Sequence, residues 1–320
     1  MSSMWMRAFI PLTAAVGLAA GLPAQAQSFP TGPVEIVVPF DAGGANDLAA
    51  RAVQSAFSED LGQPVVVLNK AGAGGALGIT EVMKDKADGY TLLLLASNNL
   101  IYEPNFKTTA YNTETFDFIC RIFAVPVSLA IAPSAPFKDV AGMIAYAKEN
   151  PGKILYGTPA IGGIYHVAML ALQRATGTEM TRVPFTGGAP MIQALASGQI
   201  HVAADTPTTI ANAGLSSVAM FANERAPEAQ NVPTLKELGV NTMEFVGFAG
   251  LVAPRGLAGD VRARLETACE KAMANPSAVD TLKRINLRPA WLSAADYKAN
   301  AKEVFTKVGV AMREAGVSNK

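Results

Sequence analysis

The sequence predicts an α/β chain of two units, and three features carry that prediction. Short apolar strands alternate with amphipathic helices in two successive runs. A glycine loop joins strand to helix in each run. A tail of helices too long to stand alone closes the chain. In the first run, Val34 to Val38 is a β-branched stretch stopped by Pro39, and a glycine loop follows. Asp47 to Glu59 then has helical spacing, with Val53, Phe57 and Leu61 on one face. Gln63-Pro64 restarts the chain into the strand Val65 to Leu68, and glycines at 72, 74, 75 and 78 lead into a short helix near Thr80 to Lys84. After the turn Asp88-Gly89, Thr91 to Leu95 is apolar throughout, as a strand covered on both faces requires. This order predicts a parallel sheet with right-handed crossovers.

The second run begins near Val127. A strand to Ala132 is followed by the turn Pro133 to Pro136, a helix over about Val140 to Lys148 and the strand Ile154 to Tyr156. Another glycine loop leads into a helix over about Tyr165 to Ala175. Further strands are expected at Thr181–Val183, Ile200–Ala204 and Val218–Phe221, and a last apolar strand after Glu244 runs through Val252. Helices over Gly259–Ala274, Ser277–Ile285 and Ala294–Ala315 form the tail. Returning that tail to the first unit builds a two-unit body with more than one crossover strand, and the groove between such units is a usual place for a small ligand.

The first 26 residues read as an export signal and not as fold. Arg7 supplies a positive start, Ala8 to Ala20 is mostly apolar and uncharged, and Ala24-Gln25-Ala26 offers the small residues of a cleavage site, with the cut expected after Ala26. Pro11 and Gly17 interrupt the run, which is shorter than the roughly 20 residues a membrane span needs. The 26 basic residues balance 26 acidic ones, so the chain has no basic footprint for nucleic acid. An oxidising compartment permits a disulfide between the two cysteines, Cys120 and Cys269. However, Cys269 shares an apolar helix face with Val261, Leu265, Ala268, Ala272 and Met273, and a buried structural thiol is the favoured reading.

Two strand–loop–helix elements stand out: Val38-Pro39-Phe40-Asp41-Ala42-Gly43-Gly44-Ala45-Asn46-Asp47, and Tyr156-Gly157-Thr158-Pro159-Ala160-Ile161-Gly162-Gly163-Ile164-Tyr165-His166. In each, glycines let backbone approach a ligand closely, and free N–H groups at the helix start attract an anion. Ordinary connecting turns are the alternative. No catalytic set is legible. The two histidines, His166 and His201, stand in no metal-ligand motif, and HExxH, GxSxG and CxxC are absent. His166 reads as a hydrogen-bonded structural histidine. A dinucleotide-dependent enzyme would need GxGxxG, but the run Gly72 to Gly78 lacks a glycine at Leu77, and no acidic residue ends the next strand. No enzyme activity, cofactor or metal is expected.

The chain resembles the receptor of tripartite tricarboxylate transporters, the Bug (Bordetella uptake gene) family. The resemblance rests on Val37-Val38-Pro39-Phe40 with Ala42-Gly43-Gly44 and Asp47; Leu61-Gly62-Gln63-Pro64; Ala71-Gly72-Ala73-Gly74-Gly75; and Asp88-Gly89-Tyr90-Thr91. Asn150-Pro151-Gly152-Lys153, Val183-Pro184-Phe185 with Gly187 and Pro190, Val232-Pro233-Thr234 and Gly250-Leu251-Val252-Ala253-Pro254 extend it over nearly all of the chain. It implies a type 2 periplasmic-binding-protein fold. Residues 27–126 and 249–320 would form one domain and 127–248 the other, closing over a ligand in the periplasm. It also implies a small organic carboxylate ligand, a monomeric receptor and delivery to membrane subunits of the tripartite type, with a sensing role as the alternative.

Carried over, the family site gives Phe40, Ala42, Gly43, Gly44, Asn46 and Asp47 in the first loop and Thr158, Ala160, Gly162 and Gly163 in the second. Ser97, Asn98 and Asp205 are further wall residues. Gly163-Ile164-Tyr165 replaces the usual serines, Thr186 a usual lysine or arginine, Gly188 a hydroxyl and Asp41 a usual proline. These departures imply a monocarboxylate, aromatic or amine-bearing, in place of a multiply charged acid. Asp41 pointing into solvent is the alternative for that residue.

Overall fold

The computed structural model describes residues 29–185 and 187–317. The expected export signal and Thr186 lie outside the described residues. Strand β1 (Val34–Val38), helix α1 (Ala45–Leu61), β2 (Val65–Asn69), α2 (Ala76–Val82) and β3 (Thr91–Ala96) alternate as the apolar pattern requires. β1 pairs in parallel with β2 on one side and β3 on the other. Helix α1 ends where Gly62 turns left-handed (φ 68°), returning its N–H to Ser58.

After β3 the chain makes a wide turn at Asn98–Tyr102, runs into the short helix α3 (Glu103–Phe106), and enters β4 (Phe116–Pro126). Neither α3 nor β4 was legible in the sequence. β5 (Ser128–Ile131), α4 (Val140–Glu149), β6 (Leu155–Thr158), α5 (Ile164–Thr176), β7 (Thr181–Pro184), α6 (Gly188–Ala196), β8 (Val202–Asp205), α7 (Pro207–Asn212) and β9 (Ser217–Met220) follow. The chain then returns through β10 (Val246–Pro254) and ends with α8 (Gly259–Ala274), α9 (Pro276–Arg284), β11 (Pro289–Leu292) and α10 (Ala294–Glu314).

Two mixed sheets result. The first has the order β11-β4-β10-β3-β1-β2, with β10 inserted antiparallel between β3 and β4; the second has the order β7-β6-β8-β5-β9. The chain passes between them side by side. Val127 N–H donates to Phe245 O, and Phe221 N–H donates to Val127 O, both at 2.8 Å. Period-two alternation in β3 explains why both faces of the first sheet are apolar: Leu92 and Leu94 enter the core beneath α1 and α8, while Leu93 and Leu95 enter the core shared with α2 and α10. Gly250 in β10 is obligatory for packing. A Cβ there would lie 2.3 Å from Cys120 O and 2.6 Å from Tyr297, the α10 aromatic that sits edge-on against Phe118 and Phe248.

The expectation for the cysteines is corrected. Cys120 in β4 and Cys269 in α8 are disulfide-bonded, with Cα atoms 6.5 Å apart. The helix-face pattern identified Cys269 as buried, which it is, but α8 lies directly over β4 and brings the second sulfur to it.

Candidate functional site

In parallel α/β sheets, ligands bind beyond the carboxyl ends of the strands. β1 delivers the chain to α1, β6 to α5 and β7 to α6, and each of these helices starts from a glycine with no side-chain cap: Gly44, Gly163 and Gly187. By contrast α4, α7, α9 and α10 are capped by Asp139, Thr206, Asn275 and Ser293. Uncapped starts leave backbone N–H donors and the positive end of the helix dipole open to an anion.

The first loop is ordered by Asp47. Its carboxylate accepts from Gly43 N–H (2.8 Å), pairs with Arg51 (2.9 Å) and accepts from Asn69 Nδ2 (3.0 Å), which also donates to Phe40 O. Burial opposes its charge, but these donors outweigh it and hold its pKa below the usual carboxylate range. Asp47 therefore positions the loop and is 2% exposed. Ala42, Gly43 and Gly44 are exposed, as is Asp41, which takes the solvent-facing alternative. Asn46 is part-buried, and its Oδ1 has no hydrogen-bond partner.

The second loop is ordered by His166, 5% exposed, whose Nδ1 accepts from Gly162 N–H at 3.0 Å. Burial, with a smaller contribution from nearby Arg182, pushes its pKa down to about 4. The folded state thus holds a neutral ring, and the unfolded chain binds more protons between pH 6.5 and about 4. The stabilisation is complete above pH 6.5 and is lost as pH falls toward 4. His166→Asn keeps an acceptor but removes the titration. The wild-type stability advantage over this variant is expected to shrink by about 2–3 kcal/mol between pH 7.5 and pH 4 in urea denaturation. A constant advantage would contradict the role assigned to the ring.

The two units meet at this second loop. A cavity of about 220 Å³ is lined by Ala73 and Gly74, by Asn98, Glu103, Phe106 and Lys107, and by Ala160 to Gly163. Gly162 is left-handed (φ 73°), and a Cβ on it would fall 2.3 Å from Phe106 Cγ. A Cβ on Gly163 would meet Asn98 Oδ1 at 3.3 Å. Of the residues expected from the sequence, Asn98, Ala160, Gly162 and Gly163 come together here.

The first loop does not line this cavity, a departure from the expected pairing of 42–47 with 158–163. The turn at 73–74 and the segment 98–107 line it with the second loop instead, and the Phe40 ring lies against Gly75. Ser97 is buried and accepts from Phe248 N–H at 3.2 Å, tying β3 to the returning strand. Thr158 is fully buried and accepts from Arg182. Asp205, at the end of β8, accepts from Thr206 N–H at 2.7 Å and from Tyr165; burial raises its pKa.

Sequence reasoning missed Glu103, Phe106 and Lys107, which belong to no motif. The one available signal was the glycine cluster 72–75, which carries part of the family resemblance but supplied no site residue. Its non-glycine member Ala73 is also left-handed (φ 49°), an uncommon conformation that gathers at functional loops. Among the described residues, no group of three or more His, Cys, Asp or Glu could hold a metal ion, and no helix is long and apolar enough to cross a membrane.

The model of the tripartite tricarboxylate transporter family receptor matches residues 49–317. A UPF0065 protein from the gbd 5' region of Cupriavidus necator is 33% identical over 314 residues, covering 96% of this chain and 94% of the relative. BugT of Bordetella pertussis is 28% identical, with 96% of both chains covered. Among solved structures, Rpa4515 of R. palustris with adipate superposes with a TM-score of 0.78 at 30% identity, covering 90% of this chain and 99% of that one. MatC of Rhodopseudomonas palustris with bound malate gives 0.75 at 26%, covering 88% and 99%.

Proposed function

Because the chain belongs to the tripartite tricarboxylate transporter receptor family, whose members are periplasmic solute-binding proteins, we propose that it captures a small organic monocarboxylate between its two units and delivers it to a transporter of that type. The observation that carries this reading is the set of uncapped glycine starts of α1, α5 and α6 at the carboxyl ends of their strands, with the α5 start opening onto the cavity. The described residues of 27–126 and 249–320 form one closing body and those of 127–248 the other. Two relatives were solved with adipate and malate, ligands that carry two carboxyl groups, and they support the carboxylate class.

A single carboxylate is favoured by the charge around the cleft. Lys107 is paired with Glu103, and Arg51 with Asp47, so no free cation at either place awaits a second acid group. Gly163 and the start of α5 hold the acid group, Ala160 and Gly162 shape the wall beside it, Asn98 faces them, and Phe40 with Ala42, Gly43, Gly44 and Asn46 shapes the side toward α1. Ser97, Thr158, Asp47 and Asp205 act through the backbone they fix.

Calorimetry on the mature chain tests the reading. Aromatic or amino monocarboxylates are expected to bind at least about tenfold tighter than citrate, a difference near 1.4 kcal/mol. Tighter binding of citrate would overturn it. Loss of uptake of the same acid in cells lacking the chain would bear on the transport role.

A further inference from the structure

Resting on the cleft being the ligand site, we propose that Glu103 is the residue that selects the ligand, by accepting an ammonium group, and that the ligand is therefore an amine-bearing monocarboxylate. Among the described residues, Glu103 and Lys107 are the only charged ones lining the cavity. The Glu103 side chain is 13% exposed and held from behind by two neutral donors, Asn99 Nδ2 at 2.9 Å and Tyr111 Oη at 2.7 Å, both to Oε2. Its other oxygen, Oε1, meets Lys107 Nζ at 2.8 Å.

The two partners differ in mobility. Asn99 is fully buried and its Nδ2 also donates to Gly74 O (2.8 Å), so that side of the carboxylate is fixed. Lys107 is one helical turn away with its side chain 54% exposed, and its ammonium reaches water by a change of rotamer. A largely buried carboxylate needs a cation. A ligand ammonium can supply one while Lys107 swings out.

The cavity sets the two ends of such a ligand apart: the acid at the start of α5 on one wall and the ammonium at Glu103 on the other. The volume, about 220 Å³, lies below the 300–1,000 Å³ usual for drug-sized ligands, and limits the ligand to something near amino-acid size.

The test is calorimetry on the mature chain with matched pairs: β-alanine with propionate, γ-aminobutyrate with butyrate, and L-phenylalanine with 3-phenylpropionate. In at least one pair the ammonium acid is expected to bind about tenfold tighter or more, the size of a charged hydrogen bond. Glu103→Gln should bring that pair to within about twofold. Lys107→Met, which removes the internal competitor, should keep or widen the preference. Absence of any preference in wild type, or a preference that survives in Glu103→Gln, overturns the assignment. Gly162→Ala separates the two levels. If it binds every probe as wild type does, the cleft itself is misplaced. If it loses binding while Glu103→Gln keeps the preference, only Glu103 is wrong.

Discussion

Gly162→Ala is expected to weaken ligand binding by about 100-fold while leaving each unit folded. Two penalties act on the same atom. Gly162 has φ 73°, a region that costs an L-residue about 1–2 kcal/mol, and its missing Cβ would stand 2.3, 2.5 and 2.6 Å from three atoms of Phe106. Phe106 belongs to α3 of the first unit and Gly162 to the loop before α5 of the second, so the clash falls on the contact between the units and not within either core. The cheapest relief is to part them. An open form gains population at the expense of the closed one, and apparent affinity falls with the closed fraction. Calorimetry reads the loss, and unchanged affinity would show that the ligand does not bind in this cleft. Phe106→Ala on the Gly162→Ala background removes the obstruction and should recover part of the affinity, a coupling that a double-mutant cycle measures.

Replacing both cysteines by alanine is expected to cost about 2–5 kcal/mol. The bond spans 149 residues, and every strand of the second sheet lies between its two ends. In the unfolded chain it closes a loop longer than 100 residues, for which chain entropy gives roughly 4–5 kcal/mol. In the folded chain it fixes α8 on β4, the strand by which the chain leaves the first sheet. Both sulfurs are buried, so the substitution also empties packed volume. Urea denaturation of the oxidised wild type and the double variant measures the difference. Equal midpoints would show that the bond contributes nothing to stability.

The sequence patterns that proved legible are those in which one short stretch contains its own signal. β1 and α8 have the bounds that their β-branched run and apolar face suggest, and α10 differs from expectation by one residue. The missed elements depend on context that a stretch does not contain. β4 is apolar over nearly its whole length because α8 covers one of its faces and α10 the other, and α6 begins with Gly188-Ala189-Pro190, a poor helix signal in isolation. The same holds in the site. Gly162, Gly163 and Asn98 were named because glycines and a strand end mark a place where backbone is accessible. Glu103, Phe106 and Lys107 were not named, because a carboxylate and a ring on a short helix and an amine just after it carry no spacing signal.

By itself the sequence determined the alternation of strand and helix, the two glycine-headed helices and the family, since each depends on local periodicity and residue order. Tertiary structure alone decided the pairing of Cys120 with Cys269, the engagement of Asp47 by Asn69, and which segment stands across from Gly162. The reason is distance along the chain: residues separated by tens or hundreds of positions become neighbours only when β10 returns between β3 and β4, and no local pattern encodes what they will touch.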